Sequence, residues 1–352
     1  MPHLPEIIFD AERMKYAHTG IYHYCLQLGK ALLNEQANQN LSVGFYLPPS
    51  ARKIFGKAYC IQQHSLHKFR MPPLANHKLW HCTYQGSNYY PTSKRIKKVI
   101  TIHDLNFMHE KKRVAKEKKY LQKLQQKIDT ADTIVAISEF VKRDIEQHLD
   151  VKGKAVKVIY NGCNINDDVV AQQRTLPFDG PYFFTIGTVA RKKNFHVLPA
   201  CLLHNDYNLV IAGVNQDDEY QQMVIEEAKR LGVANRVHLI GAVSEAEKYW
   251  LLQNCSLFLF PSLAEGFGLP VIEAMRFGKT VVLSNATSLP EVGGSAAFYF
   301  DDFDPAQMAQ KTMDALAATN KDLSNKIIEW SHYFSWQKAA KEYWELYQQL
   351  LK

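Results

Sequence analysis

No stretch of eighteen apolar residues occurs in the sequence, which excludes a membrane-crossing helix. The start, MPHLPEIIFDAERMK, turns polar after Phe9, so no secretory leader is expected. The six cysteines (Cys25, Cys60, Cys82, Cys163, Cys201 and Cys255) are scattered, with no C-x-x-C pair and no metal-like cluster. They are expected to be buried, reduced thiols, and together with the missing leader they place the protein in the cytoplasm. There is no internal repeat, no low-complexity tract, and no RNP, KH or zinc-finger pattern to support nucleic-acid binding.

The chain of 352 residues is long enough for two ordinary α/β domains, and its 46% hydrophobic and 22% charged residues are those of a folded protein. Its net charge of +7 is unevenly spread. Residues 1–170 hold 26 Lys and Arg against 15 Asp and Glu, whereas 171–352 hold 16 against 20. A basic first half favours an anionic partner, either phosphates or an anionic membrane surface. The runs Lys94–Lys98 and Lys111–Lys127 are the candidate contacts, with Phe69, Met71 and Trp80 as apolar companions.

Short apolar runs alternate with helical patterns. Strands are expected at 41–47, 78–84, 97–104, 132–138 and 156–162, with helices at 20–35, 111–130 and 138–149. Ser138 suits an N-cap, and Val141, Ile145 and Leu149 form one stripe. The polar stretch 163–180 reads as a linker. A second set of strands follows at 181–187, 207–213, 236–243, 255–262, 279–285 and 296–301, with helices at 219–233 and 270–278. Strands alternating with helices imply parallel, doubly wound sheets. The final stretch 335–351 has Ser335 as a cap and an aromatic face that needs a surface to lie on.

Four strand ends carry candidate chemistry, because ligands of open α/β sheets bind beyond the carboxyl ends of the strands. Gly20 opens the helix 20–35, where a residue without Cβ and a set of free N–H groups allow close approach of an anion. His103 ends an apolar strand and either faces a ligand or is satisfied structurally by Asp104. Gly187 leads into Arg191-Lys192-Lys193-Asn194, ahead of a helix expected near Phe195. Three cations oppose the dipole of such a helix, a local conflict that fits diphosphate binding. In Pro261–Met275, an apolar strand runs into the turn Glu265-Gly266-Phe267-Gly268-Leu269-Pro270, and Glu273 follows one helical turn later. Pro270 suits a helix start, where the amides of Gly268 and Leu269 are ready for phosphate oxygens. Glu265 and Glu273 can each accept two hydroxyls from a ribose or hexose.

EGFGLPVIEAM resembles the E-x7-E signature of the retaining two-domain glycosyltransferases of the GT-B type, carbohydrate-active family four. GIYHYCLQLGKAL, VITIHDL, ADTIVAISEFVKRDI, VKVIYNG, IGTVARKKNF, VVLSNATSLPEVGGSAAFYFDDFDP and FSWQKAAKEYWELY resemble further segments of that family in the same order. The resemblance implies two Rossmann-like domains facing each other across a cleft. Residues 1–170 would bind the acceptor and 171–334 the nucleotide-sugar donor, with the helix 335–352 crossing back to the first domain. It also implies roles. Glu265 would hold hydroxyls of the transferred sugar and Glu273 the ribose. Lys193, with Lys192 or Arg191, would neutralise the diphosphate, and Gly20, Gly268 and Leu269 would give it amides, with Phe267 lining the turn. His103 would reach the donor sugar from the opposite domain. Family members often read Gly-Arg and Pro-Arg-Lys-Asn in the basic loop, where this chain has Gly187-Thr188 and Arg191-Lys192-Lys193-Asn194, so either Arg191 or Lys192 takes the place of the usual arginine.

The implied reaction is retaining transfer of a hexose from a UDP or GDP sugar, such as GDP-mannose, to a glycan or lipid-linked saccharide, as in lipopolysaccharide synthesis. No cofactor and no metal are expected. There is no Asp-x-Asp in a suitable place, and Asp167-Asp168, Asp217-Asp218 and Asp301-Asp302 read as solvated turns. Two other readings remain: a sugar-nucleotide epimerase or hydrolase of the same architecture, and a basic nucleic-acid-binding protein.

Overall fold

The computed structural model describes residues 4–17, 19–108, 114–166 and 168–352. The chain forms two compact units. The first comprises residues 1–164 and 334–352, and the second 165–333.

The first unit is built on seven parallel strands in the order β3-β2-β1-β4-β5-β6-β7. They are β1 (Ile7–Asp10), β2 (Val43–Leu47), β3 (Cys60–Gln62), β4 (Leu79–Cys82), β5 (Lys97–Ile102), β6 (Thr133–Ala136) and β7 (Val156–Val158). Helices α1 (Gly20–Gln36), α2 (Val114–Thr130) and α3 (Glu139–His148) lie between them. The strand β1 falls in the opening segment whose polarity argued only against a leader, yet all four of its residues are buried at the centre of the sheet. Ser138 caps α3 by accepting the Val141 N–H at 3.1 Å, and Val141, Ile145 and Leu149 are all buried.

The second unit repeats the plan with six parallel strands in the order β10-β9-β8-β11-β12-β13. They are β8 (Tyr182–Ile186), β9 (Asn208–Ala212), β10 (Val237–Gly241), β11 (Leu257–Phe260), β12 (Val281–Ser284) and β13 (Phe298–Phe300). Its helices are α4 (Asp218–Arg230), α5 (Glu245–Asn254), α6 (Leu269–Arg276), α7 (Leu289–Gly293), α8 (Pro305–Ala318) and α9 (Lys321–Ser331). In each sheet the strand order reverses beside the first strand, the switch point where doubly wound proteins open a crevice for ligands. The helix expected near Phe195 is instead a 3-10 run, Phe195–Leu202, which holds Pro199. Proline lacks the N–H that an α-helix would use there, so the dipole set against the three cations is much weaker than the sequence pattern implied.

The last helix, α10 (Trp336–Leu351), belongs to the first unit and packs on α1. Its N-cap Ser335 accepts the Lys338 N–H at 3.1 Å. Its aromatic face enters a buried polar network. Tyr343 bonds to Tyr24 at 2.8 Å and to Thr101 at 2.9 Å, and Tyr347 bonds to His81 at 2.7 Å. Trp344 donates its indole N–H to the Leu32 carbonyl at 3.2 Å.

Several surface assignments made from the sequence are corrected. Trp80 is fully buried in β4 and contacts no ligand from the surface. Lys98 is also buried, donating to the Ser93 carbonyl at 2.8 Å, and Lys97 pairs with Asp132 at 2.9 Å. Lys127 turns inward onto the carbonyls of Gln85 and Ser87. Lys111, Lys112 and Arg113 lie outside the described residues. No disulfide joins cysteines among the described residues, and four of the six are buried, while Cys60 and Cys163 are half-buried. No helix is long and apolar enough to cross a membrane among the described residues.

Candidate active site

The switch point of the second unit lies between β8 and β11, and the loops that leave these two strands carry Lys193 and Glu265. The loop after β8 begins at Gly187, against which Gly213 (φ 141°) packs so closely that a Cβ there would lie 1.8 Å from the Gly187 carbonyl oxygen. Arg191–Lys193 form one 3-10 turn, ended by Asn194 in the left-handed conformation (φ 57°). That conformation is costly for a residue with a side chain, and strain of this kind gathers at functional loops.

Lys193 and Glu265, 72 residues apart in sequence, meet in a close ion pair. The Lys193 ammonium also lies over the Phe260 ring, 4.9 Å from its centroid. Glu265 is fixed from several sides. Its carboxylate accepts the Ser262 hydroxyl at 2.6 Å, and its N–H donates to Thr287 Oγ1 at 3.0 Å. The Ser288 hydroxyl binds the carbonyls of Glu265 at 2.9 Å and Phe267 at 3.0 Å. Ser262, Thr287 and Ser288 were not singled out from the sequence; small hydroxyl residues beside a glycine turn carry no pattern of their own.

The turn itself is buried at Phe267 and reaches α6 through Gly268, whose φ of 107° excludes residues with a side chain. Leu269 is the first residue of α6 and Pro270, which has no N–H, the second; the Val271 N–H donates to the Gly268 carbonyl at 3.0 Å, so the amides of Gly268 and Leu269 precede the first hydrogen bond of the helix. Glu273 sits one turn in and is 4% exposed. It pairs with Lys248 of α5 at 2.9 Å, and Lys248 also reaches Glu245 at 3.1 Å. Burial lowers the Lys248 pKa, but the two carboxylates outweigh it and hold the ammonium well above the usual lysine range.

The other two cations of the basic loop differ from Lys193. Arg191 is exposed and faces Asp217 at 3.5 Å and Glu219 at 3.6 Å. Lys192 makes no ion pair among the described residues, and its carbonyl accepts the Leu263 N–H at 2.8 Å.

Two predicted residues belong to the first unit. Gly20 opens α1 behind the cap Thr19, which accepts the Tyr22 N–H at 3.2 Å, and a Cβ on Gly20 would meet nothing within 4 Å. Packing therefore does not demand glycine there. His103 follows β5. The structural partner read for it was Asp104, but Asp104 instead caps the Asn106 N–H at 3.1 Å, and His103 Nε2 lies 2.7 Å from the Thr83 carbonyl. A carbonyl only accepts, so Nε2 carries the proton and Nδ1 the lone pair. The ring packs edge-on to Tyr24 at 4.6 Å, and burial pulls its pKa down to about 4.

His81 is likewise pulled down by burial, to about 3. Both histidines stay neutral in the fold at a pH where the unfolded chain, with ordinary values near 6.5, binds protons. Stability is therefore full above pH 6.5 and falls as the pH drops towards 4, by about 1.4 kcal/mol per pH unit for each histidine. A thermal melt series is expected to show the midpoint falling through this window; a flat midpoint would overturn the neutral assignment.

The paired aspartates are occupied as turn and cap residues. Asp217 caps α4 by accepting the Tyr220 N–H at 2.9 Å, Asp301 pairs with Lys311 at 3.2 Å, and Asp302 accepts the Asp304 N–H at 2.9 Å. Asp167 lies outside the described residues.

A family model described as glycosyl transferases group 1 matches residues 167–331, and one described as glycosyltransferase family 4 matches residues 33–167. The chain is 28% identical to O-antigen chain mannosyltransferase B of Escherichia coli, over 96% of this chain and 98% of that protein. It is 26% identical to O-antigen chain mannosyltransferase RfbU of Salmonella typhimurium, over 66% of this chain and 65% of the other. Among solved structures, sucrose-phosphate synthase from Thermosynechococcus elongatus superposes over 98% of both chains with a TM-score of 0.74 at 18% identity, a likeness of fold. With two parallel Rossmann-like units, a glycine turn between Glu265 and Glu273, and matching models that together run from residue 33 to 331, the chain belongs to the family-four glycosyltransferases of the GT-B type.

Proposed function

We propose that the protein transfers a mannosyl residue from GDP-mannose to a saccharide acceptor, glycan or lipid-linked, in the synthesis of a cell-surface polysaccharide such as O-antigen, with retention of configuration. The observation that carries this reading is the Lys193–Glu265 pair beside the amide-presenting start of α6, one cation and one carboxylate fixed at the switch point. The mannosyl donor is supported by the relatives, two of which are named as O-antigen mannosyltransferases.

In this reading the diphosphate lies against Lys193, Lys192 and the amides of Gly268 and Leu269. Lys192 is preferred to Arg191 because the Arg191 guanidinium already faces two carboxylates. Glu265 takes hydroxyls of the mannose and Glu273 those of the ribose. His103, neutral at working pH, accepts a hydroxyl hydrogen at Nδ1. Cations and amides aimed at the diphosphate stabilise the charge that builds up as it leaves, while fixed partners orient the sugar. A diphosphate oxygen then takes the acceptor's proton on the face it has just left. In this scheme Lys193 and the helix start neutralise the leaving group, so no metal ion is required.

A thermal-shift panel of GDP, UDP, ADP, CMP and their sugar conjugates tests the reading. GDP and GDP-mannose are expected to raise the midpoint, by about 2.7 kcal/mol of stabilisation at a hundredfold excess over Kd, with and without EDTA. A response to UDP alone would replace the donor. A response to none would overturn the nucleotide-sugar reading. Release of free mannose at full rate without acceptor would favour an epimerase or hydrolase.

A further inference from the structure

We propose that a groove on the first unit, at the end of β5 opposite His103, docks the protein on an anionic lipid bilayer. The groove has a volume of about 590 Å³ and runs between segment 67–78 and segment 90–96. These segments connect β3 to β4 and β4 to β5, and neither contains an α-helix. Both crossovers are thus loops where a parallel sheet usually has helices.

The chemistry of the groove is one-sided. Lys68, Arg70, Lys78 and Arg95 line it, and no carboxylate does. None of these four cations forms an ion pair among the described residues. The wider sequence has the same bias: between Glu35 and Asp104 there is no Asp or Glu at all, while ten Lys and Arg fall in that stretch. A surface built this way meets phosphates.

The rim adds an apolar element. Phe69 is 90% exposed and Leu66 64%. Both sit on a held turn. His64 Nδ1 accepts the Leu66 N–H at 3.3 Å, His67 Nδ1 accepts the His64 N–H at 3.3 Å, and the Tyr46 hydroxyl lies 3.0 Å from the same nitrogen. The N–H groups of Phe69 and Arg70 both donate to the Leu66 carbonyl at 3.0 Å. An aromatic ring presented by a fixed turn between Lys68 and Arg70 is suited to enter the acyl boundary while the two cations meet headgroup phosphates. A single nucleic-acid strand would use the same ring and cations. The aliphatic neighbours Leu66, Met71 and Pro72 offer it nothing to stack on, but they suit hydrocarbon.

Vesicle co-sedimentation of the full chain tests this. Binding is expected to phosphatidylglycerol vesicles and not to phosphatidylcholine vesicles, falling as salt rises. Phe69→Ser and the double variant Lys68→Glu/Arg70→Glu are each expected to reduce partitioning roughly tenfold or more. Lys78→Glu, on the groove lining, carries the same expectation should a rim variant fold poorly. All are expected to keep the wild-type nucleotide thermal shift, which separates failure of docking from failure of the donor site. Equal partitioning of wild type and variants overturns the proposal, as does displacement of the protein from vesicles by polyuridylate at matched charge.

Discussion

A Glu265→Gln variant is expected to lose turnover by about 10²–10³-fold while binding GDP at least as tightly as the wild type. Glutamine keeps the size and one carbonyl oxygen for the Ser262 hydroxyl, so the loop stays in place. In the proposed mechanism it loses the negative charge facing a carbon that becomes oxocarbenium-like and the second strong acceptor for sugar hydroxyls. The direction of the binding effect follows from the ion pair. In the free protein the Lys193 ammonium is shared with Glu265, whose removal leaves the cation wholly available to a diphosphate. The measurements are single-turnover rates for the chemistry and calorimetric titration with GDP for the binding. Wild-type turnover in the variant would remove Glu265 from the site. A large loss of GDP affinity with unchanged turnover would reassign it to the nucleotide.

Much of this site was legible because its parts are local. The glycine turn, the proline at the start of α6 and the two carboxylates eight residues apart lie within one short segment, and the basic loop is a contiguous run. Alternation of apolar runs and amphipathic stretches likewise led to parallel sheets, and Ser138 and Ser335 act as the caps their positions implied. What stayed hidden depends on tertiary neighbours. Lys248 is the clearest case: in α5 its neighbours Tyr249, Trp250, Leu251 and Leu252 are contiguous, so the helix has no period to betray it or the direction of its lysine. The strand β1 is only four residues long and precedes every periodic segment. Trp80 and Lys98 misled for one reason: a parallel sheet is covered on both faces, so its strands bury even residues that look like surface contacts. The basic loop resembles a helix entrance because an apolar run follows it, but Pro199 inside that run keeps it a 3-10 helix.

Lys248 also sets the second large effect. Glu273→Ala is expected to destabilise the second unit by about 3 kcal/mol, because it strands a buried ammonium that retains only the half-exposed Glu245. For a unit of this size that is a fall in the melting midpoint of roughly 6–12 °C. Donor affinity is expected to fall as well, but the single variant cannot assign that loss, since a shifted α6 would move the amides of Gly268 and Leu269. The double variant Glu273→Leu/Lys248→Met separates the two effects. Replacing a buried ion pair by apolar side chains of similar volume is often neutral or stabilising, so the midpoint is expected to recover. Donor affinity is expected to stay low, because the ribose hydroxyls still lack their acceptor. If the double variant melts normally and also binds GDP normally, Glu273 is a strut between α5 and α6, and the nucleotide is held by Lys193 and the helix start alone. If it melts normally and binds GDP weakly, the same carboxylate serves both helices and ligand, and Lys248 is the residue that keeps it aimed.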